Sequence, residues 1–133
     1  MGGILKPSIN LPGSKNVWDY KKSMGRLLKE HVRVLGLSAN NDLVIDELIS
    51  IGTLTASLIH PREMMRPLIA TPCARFIMIH NHPSGDPKPS PEDKEVTKRM
   101  RNVGGMMGIP LVDHVIIAKK SYYSFSDSGE IKA

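Results

Sequence analysis

The chain has one cysteine, Cys73, in 133 residues. That excludes an intramolecular disulfide and fits a reducing compartment. Cys73 stands beside an apolar run, where it reads as a small core residue and not as a catalytic thiol. No apolar run approaches the roughly 18 residues of a membrane span. The first residues lack the charged-then-apolar order of a secretory signal. A cytoplasmic location with no membrane partner is therefore the expectation. Internal repeats and low-complexity tracts are also missing. So is any dense basic run, although 18 Lys+Arg against 13 Asp+Glu give a net charge of +5. That balance allows an acidic partner such as nucleic acid, but without a basic cluster it reads first as a basic surface. An apolar content of 41% excludes a disordered chain. The length fits one domain with one core.

Residues 1–17 hold Gly2, Gly3, Pro7, Pro12 and Gly13 with little periodicity, and read as an extended arm. The arm could also dock on a neighbouring subunit, so a homo-oligomer is allowed. Residues 18–133 form the domain. From Trp18 to Lys29 the steps Tyr20, Met24, Leu27 and Leu28 predict a helix. Strands are expected over 31–37 and 43–51, paired as a hairpin across the turn Asn40-Asn41-Asp42, with a third strand over 53–59. Pro61 opens a second helix, with Met64, Met65, Leu68 and Ile69 as its apolar face. Residues 74–80 read as a buried central strand. A third helix runs from Pro91 to Val103 and ends at Gly104-Gly105. Strands over 109–118 and 121–126 complete an α/β arrangement, a mostly antiparallel or mixed sheet flanked by about three helices.

The chemistry gathers at His80-Asn81-His82-Pro83-Ser84-Gly85-Asp86-Pro87-Lys88-Pro89-Ser90-Pro91-Glu92-Asp93. Strand side chains alternate, so His80 and His82 leave the strand end on one face. Two imidazoles so placed before a Pro- and Gly-rich loop point to a metal, and imidazoles with a carboxylate suit zinc. Asp93 reads equally as the third residue of a helix capped by Ser90. The two roles are compatible, because a helix N-terminus is a rigid mount for a carboxylate. A hydrolytic site also needs a general base. Glu30, between the first helix and first strand, and Glu63, in Pro61-Arg62-Glu63, both qualify. The contiguous letters His-Asn-His do not reproduce an HNH nuclease, which spreads those residues over a hairpin and a helix.

The spacing H-x-H-x7-S-x-x-D resembles the JAMM signature of MPN-type zinc metalloproteases. The longer string His80–Asp93, with Pro61-Arg62-Glu63 before it and Asp113-His114 after it, is similar to the RadC (UPF0758) branch over about residues 18–127. The resemblance implies a single MPN/JAMM domain, cytidine-deaminase-like in fold. It implies Zn2+ held by His80, His82 and Asp93, with Ser90 steadying an oxyanion and Glu30, by its place before the first strand, as base. The implied reaction is hydrolysis of a peptide or isopeptide bond in an unidentified peptide or protein. His114 could orient a ligand from behind, and Asp86 and Lys88 lie on the loop over the site. Many RadC chains also carry a helix-hairpin-helix region before the domain. Only the short arm stands there in this sequence, which leaves a DNA-repair association resting on the family label and the charge. MPN domains that lack the ligands serve as scaffolds, the alternative reading.

Overall fold

The computed structural model describes residues 8–132. The elements are α1 (Ser14–Lys21), a 3-10 turn (Lys22–Arg26), β1 (His31–Leu37), β2 (Leu43–Ile51), α2 (Pro61–Ala70), β3 (Arg75–Asn81), α3 (Pro91–Met107), β4 (Leu111–Ile117) and β5 (Tyr122–Ser124). The five strands make one mixed sheet in the order β2-β1-β3-β4-β5. β1 is antiparallel to both β2 and β3, β3 is parallel to β4, and β5 returns antiparallel. The parallel pair requires a crossover, which α3 supplies.

Period-two alternation divides the strands between two cores. Val32, Val34, Phe76, Met78 and Ile116 pack with Met64 and Leu68 of α2 and Val96 and Met100 of α3. Leu35, Leu37, Ile77, Ile79, Val115 and Ile117 face the other way, with Leu11, Val17 and Met24. Asp46 ties α1 to the hairpin. It accepts from the Tyr20 hydroxyl at 2.6 Å and from Arg33 Nε at 2.7 Å, and pairs with Lys21 at 3.1 Å. Burial works against its charge, but these three donors hold the carboxyl below its ordinary range.

Several boundaries differ from the sequence reading. Residues 1–7 of the expected arm lie outside the described residues. The remainder is not a free arm: Leu11 is buried, Asn10 bridges to Asp42, and α1 already begins at Ser14. The first helix stops short of Lys29. Leu27 turns to extended backbone, and Leu28, expected on the apolar face, is 93% exposed. No strand forms over 53–59. Gly52 breaks the chain at φ 138°, and the Thr55 hydroxyl and carbonyl accept from Leu58 N–H, making a turn that leaves Leu54 and Ile59 as buried plugs. α3 passes through Gly104-Gly105 and ends at Gly108, whose φ of 74° is left-handed. Gly104 serves close packing instead, because a Cβ there would lie 2.6 Å from the Ile109 carbonyl oxygen. Cys73 is a half-buried packing residue near Gly36, and burial pushes its thiol up.

Candidate metal centre

β3 and the residue that follows it deliver the two imidazoles as alternation requires. Their Nε2 atoms stand 3.0 Å apart. The loop after β3 brings the N-terminus of α3 back over them. Ser90 caps that helix: its hydroxyl accepts from Asp93 N–H at 3.0 Å, and the Asp93 carboxylate accepts from Ser90 N–H at 2.8 Å. This capping box fixes the carboxylate. Asp93 Oδ1 then lies 3.2 Å from His80 Nε2, and Oδ2 lies 3.1 Å from His82 Nε2. The cap and the approach to the imidazoles thus coexist in one side chain.

Glu30 reaches the same point from the segment before β1, with Oε1 3.9 Å from His80 Nε2. Glu30, His80 and His82 offer ligand atoms all within 4.8 Å of one another, a group that could hold a metal ion. The backbone around Glu30 is pinned. Asn81, fully buried and pointing to the opposite face from the imidazoles, donates to Lys29 O at 3.0 Å and accepts from His31 N–H at 2.7 Å. Gly52 N–H donates to Glu30 O at 2.8 Å. Glu63 is elsewhere, exposed on α2 beside Arg62 and Arg66. The cleft over the site has a volume of about 340 Å³ and is lined by Glu30, Thr53, Leu54, His82, Ser90 and Glu92 among others.

Hydrogen bonding on the far side of the His82 ring orients it toward the centre. His82 Nδ1 lies 2.9 Å from the Asp86 carbonyl, which can only accept, so Nδ1 carries a proton and Nε2 is the nitrogen turned to the centre. Two imidazole nitrogens and a carboxylate therefore converge within 3.2 Å. Two ligands held at roughly 2.0–2.1 Å in tetrahedral geometry stand about 3.3 Å apart. The donor set and its spacing fit a cation of that kind. Burial lowers the His82 pKa, but hydrogen bonds to Asp93 and the Asp86 carbonyl outweigh it and raise the net value. Asp93 moves the other way: burial alone would raise its carboxyl, and its contacts with His80 and His82 hold it well below the usual range.

Behind the centre, His114 on β4 lies 2.7 Å from His80 Nδ1 and stacks on Phe125 at 4.7 Å. It is fully buried. That, and then the nearby His80, push its pKa well down. Its other nitrogen meets the Thr97 hydroxyl at 2.6 Å. The sequence reading did not include Thr97, the Asp86 carbonyl or the Asn81 clamp. Asp86 and Lys88 otherwise serve the loop itself, where the Asp86 carboxylate accepts from Lys88 N–H at 3.0 Å.

Asp113, next along β4, faces the other way. Its carboxylate accepts from the Ser124 hydroxyl and from the amides of Ser126 and His114, pinning β5. Burial nonetheless pushes its carboxyl up to about 6 from an ordinary 3.8. The folded state then binds the proton more tightly than the unfolded chain does. This residue's contribution to stability should fall as pH rises from about 4 to about 6 and level off above, by about 3 kcal/mol in total. Asp113→Asn keeps an acceptor for both amides and should remove that slope. Urea midpoints of metal-free wild type and variant between about pH 4 and pH 8 test this; parallel profiles would refute it.

The RadC-like JAB domain model matches residues 11–130. The chain belongs to the RadC-like JAB domain family. The mixed sheet with its three helices is consistent with the JAB/MPN fold. A UPF0758 protein of Chlorobaculum tepidum is 44% identical over 123 residues, 90% of this chain and 54% of that protein. One from Thermotoga maritima is 40% identical over 121 residues, 91% and 54% of the two chains. One from Caldanaerobacter subterraneus is 45% identical over 112 residues, 78% and 48%. The RadC-like domain described here thus spans about half the length of the relatives it matches. Among the described residues, no helix is long and apolar enough to cross a membrane.

Proposed function

We propose that this RadC-like domain is a zinc-dependent hydrolase of peptide or isopeptide bonds. His80, His82 and Asp93 are its metal ligands, Glu30 its general base and Ser90 its oxyanion donor. One observation carries the reading: the two imidazole nitrogens and the Asp93 carboxylate converge at ligand spacing, while Glu30 stands farther off, 3.9 Å from His80, on the cleft side. Two imidazoles and a carboxylate with no thiolate suit zinc and leave a position for water. Bound zinc would supply a Lewis acid for the scissile carbonyl and lower the pKa of a bound water to about 7.

The chain's own residues supply the rest. Glu30 takes the proton of the attacking water and returns it to the leaving amine. Asn81 and Gly52 hold the backbone on both sides of Glu30, so its carboxylate is aimed without paying for order during turnover. The Ser90 oxygen accepts the Asp93 amide, which leaves the hydroxyl proton free to donate to the oxyanion. Glu30, Glu92 and Asp93 line the cleft with no Lys or Arg among its lining residues, which favours an amide over a phosphate-bearing substrate.

Elemental analysis of purified wild type beside His82→Ala is the test. The expected result is about one zinc per chain in wild type, lost in the variant together with hydrolysis of amide-linked substrates. No zinc in wild type after reconstitution at neutral pH would overturn the hydrolase reading and leave an MPN-fold scaffold.

A further inference from the structure

The hydrogen bonds behind His80 form a chain whose proton directions can be assigned one by one. Thr97 Oγ1 lies 2.7 Å from the Asp93 carbonyl oxygen and 2.6 Å from His114 Nδ1. The carbonyl has no proton to give, and a hydroxyl has only one. That proton must point at the carbonyl, because otherwise two oxygen lone pairs face each other at 2.7 Å inside the protein. Thr97 can then only accept from His114, so His114 Nδ1 is protonated. A second proton on His114 Nε2 would make a fully buried cation with no carboxylate in hydrogen-bond contact, which is costly. His114 Nε2 is therefore an acceptor, and His80 Nδ1–H donates to it across 2.7 Å. The His80 ring proton is thereby held on Nδ1, and Nε2 is the nitrogen that faces Asp93 and His82.

We infer that Thr97 and His114 form a positioning relay that holds a proton on His80 Nδ1, so that Nε2 is the nitrogen presented to the centre before any metal arrives. Thr97 sits one turn after Asp93 on α3, and its hydroxyl is bonded to the Asp93 carbonyl. One helix turn therefore carries the carboxylate of the centre and also sets the proton position of the imidazole opposite. The value of the relay as metal preparation rests on the function proposed above, whereas the tautomer itself does not.

Nitrogen NMR of the histidine rings in metal-free protein reads the tautomer directly. Wild type should show His80 and His114 both protonated at Nδ1, with His114 Nε2 bare. Thr97→Val leaves His114 Nδ1–H with no acceptor, so the chain should reverse, moving the His114 proton to Nε2 and leaving His80 Nδ1 bare. Zinc affinity, from competition with a chelator, should fall about 10–100-fold. Thr97→Ser restores the hydroxyl and should restore both readouts, which separates the relay from simple packing. His80 Nδ1 unprotonated in wild type, or a Thr97→Val spectrum and zinc affinity unchanged, would overturn the relay. If wild type binds no zinc, the hydrolase reading fails, and the NMR comparison still decides the tautomer.

Discussion

Glu30→Gln should lower amide hydrolysis by about 10²–10⁴-fold, the usual share of a general base, with metal content held at the wild-type level. Gln keeps the size and the backbone clamp of Glu30 but cannot take a proton. Asp93→Asn should act in the opposite order and lose the metal first. Its oxygen can still accept the Ser90 amide, so the capping box survives and α3 stays in place. One oxygen, however, is replaced by an amide nitrogen that has no lone pair to offer. The distances make the distinction. Asp93 reaches both imidazoles at 3.1–3.2 Å, the spacing of neighbouring ligands, whereas Glu30 stands at 3.9 Å from His80. Glu30 also belongs to the group whose ligand atoms lie within 4.8 Å, so the two carboxylates could in principle exchange roles. Metal content and kcat measured side by side on both variants decide it. Metal lost from Glu30→Gln and retained by Asp93→Asn would reverse the assignment.

The parts of this centre that the sequence reveals are those written in short-range spacing. Period two places His80 and His82 together, and the Ser-Pro-x-Asp helix start places Asp93 on the first turn of α3. Both follow from local geometry. Thr97 was invisible because nothing local marks it: in the second turn of α3 it reads as a polar helix residue, and only the α3–β4 packing brings it to His114. The Asp86 carbonyl has no letter of its own. Asn81, lying between the two histidines in sequence, points away from them, and its partners Lys29 and His31 are 50 residues or more distant along the chain. The same limit explains the fold errors. Leu54 and Ile59 look like strand residues because they are buried, but they plug a core from a turn. Met24, Leu27 and Leu28 continue a helical rhythm that the backbone abandons at Leu27. Just before that point the chain runs close against the turn that follows β4, at Gly25.

Gly25→Ala should cost about 3 kcal/mol, the upper end for overpacking, and lower Tm by roughly 10 °C for a domain of this size. A Cβ at Gly25 would lie 2.2 Å from the Ala118 carbonyl oxygen and 2.7 Å from its carbon. These are backbone atoms, fixed by the turn in which Ala118 N–H donates to Ser121 O, so no side chain can swing aside. The relief must come from the 3-10 turn, and that turn leads directly into the segment carrying Glu30. Folded Gly25→Ala should therefore keep its metal and still lose turnover, because a displacement of about 1 Å can cost about 10²-fold. Gly105→Ala is the internal control. It lies in α3 with nothing within 4 Å of the added carbon, so the change should stabilise by about 0.5–1 kcal/mol through helix propensity and leave catalysis alone. Thermal melts and metal content of the two variants separate close packing from glycine content. A Gly25→Ala protein that melts with wild type and hydrolyses at its rate would show that the turn does not position Glu30.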